Sequence, residues 1–368
     1  MNGEDESMDF EVLAGSYLVL YLPNEDIHRA AWWVSRELRN KAQDKLMSTG
    51  AFNYTLMDSD GLHVVCDPVC AASLQSLKIA SLVVSPMYWK AVHVNITGGS
   101  TNDGASCVSL LARKLAEKDI STLHISTFES EIFMVHETAL HATLDVFETV
   151  DSGPGLDSSV DCVVGVEGGI SGNSEQQDGA LPVKKSRHAL QLMPRDVYLS
   201  RLNNEAPFDI CMDAFVEMFL HDSRFCKLER QARLYRSKAQ SLRREDSQEA
   251  LSSLEVGDGE MEEDVPPFLW GVWTVHGETT LLLEEEDIDR MPEGSLVVSP
   301  QRWRTIKLSG PTIGFDEAGI LRGMSDLPPE IPVLNISTVL TNCTLVPEEN
   351  LDQALDQITR NMGVKVMK

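Results

Sequence analysis

The chain is poor in positive charge, has no paired-cysteine pattern, and contains no hydrophobic run long enough to cross a bilayer. Its 31 Lys and Arg stand against 57 Asp and Glu, a formal charge of −26. That balance argues against a nucleic-acid surface, which needs clustered Lys and Arg to neutralise phosphates. Seven cysteines, an odd number with no CxxC spacing, fit reduced buried thiols rather than a disulfide framework. Triplets such as Asn95-Ile96-Thr97 therefore say nothing about glycosylation. No run reaches the eighteen or so apolar residues of a membrane helix, and Met1-Asn2-Gly3-Glu4-Asp5-Glu6 is acidic where a signal peptide is basic and then apolar. The expectation is a cytoplasmic protein with no membrane and no nucleic-acid partner.

Catalytic signatures are missing too. There is no GxSxG, no HExxH and no QAC- or CGSC-type cysteine. The loop from Gly98 to Gly104 lacks the Gly-Lys-Ser/Thr ending of a phosphate loop. His63, Cys66 and Cys70 have Pro68 between the cysteines and no fourth ligand nearby, so no metal is expected there. A non-enzymatic protein without cofactor or metal is the expectation.

What the chain does have is a repeat. SLVVSP occurs at Ser81 to Pro86 and again at Ser295 to Pro300, an offset of 214 (295 − 81). Trp89 and Trp303 keep that register. His124-Ile125-Ser126-Thr127 then answers Asn335-Ile336-Ser337-Thr338, and Glu137, Leu140, Leu144 and Asp145 answer Glu348, Leu351, Leu355 and Asp356, at offset 211 (348 − 137). Such a repeat means that a compact supersecondary unit was copied whole. Trp89 and Trp303 are expected to fill the cores of their own units.

Apolar periodicity divides each copy in two. Tyr17 to Tyr21 reads as a strand, and Ile27, Ala30, Ala31, Val34 and Leu38 recur at helical spacing. Strands follow at Asn53 to Met57 and Leu62 to Val65 about an Asp60-Gly61 turn. The second unit has strand Val92 to Ile96, a helix from Ala105 to about Lys118, strands Ser121 to Ser126 and Ile132 to Val135, and helix Glu137 to Phe147. Strand, helix, strand, strand, helix is the ferredoxin-like order. The expected organisation is an acidic tail (1–14), units at 15–80 and 81–150, a Gly/Ser/Asp-rich linker (151–186), and units at 187–294 and 295–368. The third unit carries a charged insertion at about 227–265. Its cluster from Lys227 to Arg244 reads either as a partner surface or as a solvated helix face.

Several segments resemble the CASTOR family of cytosolic arginine sensors, GATS-like proteins built from four ACT domains in tandem pairs. They are Tyr54-Thr55-Leu56-Met57 with Asp60-Gly61, Ile120 to Val135 (ISTLHISTFESEIFMV), Gly314-Phe315-Asp316-Glu317-Ala318-Gly319-Ile320, and Ile336-Ser337-Thr338 with Leu345-Val346-Pro347-Glu348. The resemblance implies an α+β fold of four ferredoxin-like ACT domains in two tandem pairs, and a free amino acid bound between the second and fourth. It implies a homodimer whose occupancy changes binding to a GATOR-like complex upstream of target-of-rapamycin (TORC1) signalling. By the same resemblance the ligand meets Ile120, Ser121 and Thr122, the loop Gly314, Phe315, Asp316, Glu317, Gly319 and Ile320, and the strand residues Thr338, Val339, Thr341 and Asn342. The partner meets Phe128, Glu129 and Glu131.

The chemistry of an α-amino acid fits such a loop. Glycines at Gly314 and Gly319 allow close backbone approach, and a helix beginning near Ala318 favours a carboxylate at its N-terminus. Without the resemblance, the same glycines read more readily as turn-formers, and Ser121 as an ordinary strand-end hydroxyl. Asn342 stands where the family has the aspartate that receives the guanidinium. Loss of one partner of a buried ion pair costs about 3–5 kcal/mol, roughly two to three and a half decades of affinity.

Overall fold

The computed structural model describes residues 7–44, 52–97, 101–151, 188–203, 205–206, 208–221, 267–310, 318–338, 340 and 342–367. The linker and the charged insertion expected from sequence lie outside them. The chain is a mixed α/β structure whose strands, antiparallel except for the last, which runs parallel to its neighbour, join in one sixteen-stranded sheet among the described residues. Among the described residues no helix is long and apolar enough to cross a membrane.

In the first half, β1 (Ser7–Val12), β2 (Leu18–Pro23), α1 (Ile27–Asp44), β3 (Asn53–Asp58), β4 (Gly61–Cys66), α2 (Pro68–Gln75) and β5 (Val83–Val84) come first. They are followed by β6 (Trp89–Thr97), α3 (Thr101–Glu117), β7 (Thr122–Ser126), β8 (Glu131–His136) and α4 (Leu140–Asp151). The second half has β9 (Ala189–Leu202), α5 (Phe208–His221), β10 (Leu269–Val275), β11 (Glu278–Glu284), α6 (Glu285–Ile288), β12 (Leu296–Val298) and β13 (Trp303–Ser309). It closes with α7 (Ile320–Ser325), β14 (Leu334–Ser337), β15 (Asn342–Pro347), α8 (Leu351–Met362) and β16 (Lys365–Met367).

Local chemistry explains the element ends. Asp67 caps α2, its carboxylate accepting from the Val69 and Cys70 amides with Pro68 at the first helical position. The β10–β11 hairpin turns at His276 (φ 48°) and Gly277 (φ 80°), the pair of positive φ angles that matches the twist of a two-residue hairpin. α3 begins at Thr101 rather than Ala105, because Thr101, Asn102 and Asp103 already belong to its first turn.

The strand path runs β1-β6-β8-β7-β14-β15-β13-β9 and continues β9-β11-β10-β3-β4-β2-β5. β12 also pairs with β9. The two stretches face each other: side chains of β7, β8, β14 and β15 share one core with those of β3, β4, β10 and β11. Helices cover the outer faces, α1, α2 and α5 over one layer and α3, α4, α7 and α8 over the other. Trp89 and Trp303 lie in the core between the layers, not under the helices of their own units, because the alternation of β6 and β13 turns them inward.

Residues 1–14 read as a tail from sequence, yet Ser7–Val12 form a strand that pairs with β6 from Ser7 to Val12 against Thr97 to Val92. Met8 is buried and Phe10 meets Phe147 edge-on at 5.5 Å. The edge of β6 would otherwise present unpaired backbone groups. β9 repeats the arrangement in one piece. Its start pairs with β13 (Leu190 opposite Leu308), and its end pairs with β11 and β12.

Repeat-equivalent residues meet at the contact between halves. Ile125 and Ile336, equivalent at offset 211, are direct partners in the β7–β14 bridge. The halves are thus related by an approximate twofold axis through that pair.

Candidate functional site

Strands alternate their side chains between faces, so Ile125 and Ile336 point between the layers while their neighbours point under the helices. On the β7–β14 seam those neighbours are polar: His124, Ser126, Asn335 and Ser337 are all buried. The Asn335 amide donates to Ser126 Oγ across the seam at 3.0 Å. Two further strands extend the stripe. Glu131 on β8 brings Oε2 to 2.9 Å from His124 Nε2. Asn342 on β15 donates from Nδ2 to Ser337 Oγ at 2.7 Å, and Thr344 Oγ1 lies 3.0 Å from the Met324 carbonyl and 3.1 Å from Asn335 Oδ1.

The other seam, β3 with β10, has a different lining. There Met57 faces Trp270 and Thr55 faces Val272, and Phe215 of α5 meets Trp270 edge-on at 5.1 Å. Burying polar groups costs free energy unless they are paired, and the β7–β14 seam carries the richer polar stripe, whereas buried Thr55 and Asn53 stand among apolar side chains at the β3–β10 seam. Asn342 Oδ1 is buried with no hydrogen-bond partner among the described residues, an acceptor suited to an N–H donor.

Of the thirteen ligand residues that the resemblance implies, seven are described. Ile120 is buried in the same cluster as Leu321 of α7, which brings the start of β7 to the start of α7. Ser121 and Thr122 are half-buried there, with Thr122 Oγ1 3.4 Å from the Ile120 carbonyl. Gly319 precedes α7 with φ 87°, a conformation that favours glycine. Ile320 is the first residue of α7, and Thr338 and Asn342 are buried. Gly314, Phe315, Asp316, Glu317, Val339 and Thr341 lie outside the described residues.

The turn expected to meet a partner is engaged within the chain. The Phe128 amide donates to Thr280 Oγ1 at 3.2 Å, and the Phe128 ring lies 5.5 Å from the Arg201 guanidinium. Glu129 pairs with Arg201 at 2.7 Å and keeps an exposed side chain. Glu131 turns inward, its side chain 16% exposed beside fully buried His124. It is the repeat equivalent of Asn342 (342 − 131 = 211), so the stripe holds a carboxylate on one side of the axis and an amide on the other. His124, Ser126, Asn335, Ser337 and Thr344 were not singled out from sequence. The signal was there in the matched His-Ile-Ser and Asn-Ile-Ser triplets, polar residues flanking an isoleucine in otherwise apolar strands.

A second polar centre joins the layers at their edge. Lys307 Nζ, fully buried, donates to Asp58 Oδ2 at 2.8 Å and Asp60 Oδ2 at 2.6 Å. His63 Nε2 lies 3.6 Å from Asp58 Oδ1. Burial alone would raise the Asp58 carboxyl, yet the Lys307 ammonium and His63 hold it well below the ordinary range. Burial likewise opposes charge on Lys307, and Asp58 and Asp60 overcome it, holding the ammonium above its usual value.

No protein-family profile matches the chain. Among solved structures, an aspartate kinase from Synechocystis is similar over 99% of this chain and 57% of its own, at 10% identity and a TM-score of 0.30. A Vibrio cholerae protein of unknown function, described as a possible transport protein, is similar over 39% of this chain and 88% of its own, at 17% identity and a TM-score of 0.25. At these scores neither likeness carries an argument about what this chain does.

Proposed function

We propose that the chain is a non-catalytic amino-acid sensor, built of four ferredoxin-like ACT units in two tandem pairs, that holds arginine or a related amino acid at the seam of the second and fourth units. The single observation that carries this reading is the polar stripe of His124, Ser126, Glu131, Asn335, Ser337 and Asn342 concentrated at the β7–β14 seam. A ligand ammonium or guanidinium finds carboxylate and amide oxygens at Glu131 and Asn342. Its carboxylate finds backbone N–H groups where the chain enters α7 at Gly319. The GATOR-like partner, the TORC1 setting, the cytoplasmic location and the homodimer come from the family resemblance. Glu129 is the exposed member of the turn that such a partner would meet.

Ligand and partner would act on each other reciprocally, with a typical coupling of about 1–3 kcal/mol. Isothermal titration with arginine, lysine and neutral amino acids tests the reading. Saturable heat from at least one, lost in Ser121→Ala combined with Ser337→Ala, is expected; no heat from any of them at millimolar concentration removes the sensor. A second reading, an ACT-type scaffold that has lost ligand binding, is favoured by Asn342 in place of the family aspartate. Thermal melting separates the two, since a ligand at a hundred times its dissociation constant adds about 2.7 kcal/mol.

A further inference from the structure

The repeat offset of 214 that relates Trp89 to Trp303 also relates His93 to Lys307. Both side chains point between the layers from the first strand of their units. At Lys307 the junction is closed by Asp58 and Asp60 from the opposite layer. At His93 the opposing hairpin is β10–β11, and it offers no carboxylate at the equivalent of Asp58. Val275 takes that hairpin position and His276 follows in the turn, with Glu11 arriving from β1. The Glu11 Oε1 atom lies 3.4 Å from His93 Nδ1 and 2.6 Å from His276 Nε2, and all three atoms fall within 4.8 Å of one another. His93 and His276 line a groove of about 350 Å³ bordered also by Ser130, Arg201 and Glu278.

We propose that Glu11, His93 and His276 form a binding site for a divalent transition-metal ion, of which Zn²⁺ is the natural probe. Two imidazoles and one carboxylate are a donor set that such ions take, with a fourth position left for water. A tetrahedral ion about 2.0–2.1 Å from each nitrogen holds its ligand atoms roughly 3.3 Å apart, which small side-chain shifts reach from the observed spacing.

Three features set the cluster apart from an ordinary surface ion pair. The His93 side chain is 9% exposed and its Nδ1 makes no hydrogen bond among the described residues. Its other nitrogen, Nε2, is 2.9 Å from Ser130 Oγ, the outer-shell contact that fixes ring orientation in metal-bound histidines. The three donors come from three separated segments, β1, β6 and the β10–β11 turn, so an ion would clamp the amino-terminal strand and the second unit to the third.

The test uses full-length protein stripped with a chelator, titrated with Zn²⁺ by calorimetry and with Co²⁺ by visible absorption. One ion per chain and an imidazole-coordinated cobalt spectrum are expected. His276→Asn keeps a residue that tolerates the left-handed turn, and Glu11→Gln sits on an exposed edge strand, so circular dichroism should show both folded. Loss of a single outer-shell partner already weakens binding about 10–100-fold, and each variant should lose at least that much, with Ser130→Ala within that range. Absence of saturable binding to the wild-type protein overturns the proposal. So does zinc affinity unchanged in both His276→Asn and Glu11→Gln, which would put the ion elsewhere.

Discussion

Lys307 and Asp58 are both fully buried, so each depends on the other for its charge. Lys307→Met strips Asp58 of its main counter-charge and is expected to destabilise the protein by about 3–5 kcal/mol in urea unfolding. The double change Lys307→Met with Asp58→Asn should recover part of that loss. The pH dependence has two limbs. Asp58 is depressed in the folded state, so its contribution is present above the unfolded carboxyl value of about 4 and is lost as pH falls below it. Lys307 is raised, so its contribution is present below about pH 10 and is lost as pH rises through its folded value. Stability against urea that does not change between pH 6 and pH 3 would contradict this account of Asp58.

Asn342 carries the specificity question. Asn342→Asp places a buried carboxylate beside Ser337, which should lower the melting temperature of the ligand-free protein. In titrations with arginine it should raise affinity by about two decades or more. Neutral amino acids should gain nothing. The identity of Asn342 was legible in the sequence, but its partner Ser337 and its uncontacted Oδ1 were not, because side-chain pairing across a hairpin depends on register. Glu131 shows the same limit. The resemblance gave it as a partner contact, and strand alternation from Phe133 carries it under the helices.

Strands were easiest to read where short, largely apolar runs are bounded by turn residues, as in β3, β4, β10 and β11. Two elements hid behind their polar content. Met8, Phe10 and Val12 alternate correctly, but Asp9 and Glu11 between them extend the acidic composition of the start of the chain. In β9 the alternation is broken by Pro194, Arg195 and Asp196, near the irregular pairing with β13. Removing residues 1–12 should therefore do more than trim a tail. It uncovers the β6 edge and the Phe147 side of the α4 packing, and differential scanning should show a lower melting temperature and a tendency to aggregate. Unchanged melting would mean that β1 contributes nothing to the second unit.

The duplication was visible in SLVVSP and its sequels, whereas the way the halves meet was not, since no local pattern says that equivalent strands will pair with each other. Because they do, a half-chain has two open edges, β3 and β7, each suited to pairing with a copy of itself. A protein ending at residue 151 should therefore form a dimer or larger species in size-exclusion chromatography with light scattering. A stable monomer would show that the edges are not what joins the halves.

β9 also distinguishes the two sides of the molecule mechanically. On its side, one unbroken strand belongs to both layers and acts as a beam, so sliding one slab past the other there must break backbone hydrogen bonds. On the opposite side the chain between β1 and β2 leaves β6 only around Gly15, which adopts a left-handed bend between the Leu13 and Tyr17 hydrogen bonds to that strand. Rocking of the slabs is therefore expected to pivot about β9 and open at Gly15, with amide exchange at residues 14–16 faster than at Val197 to Leu199.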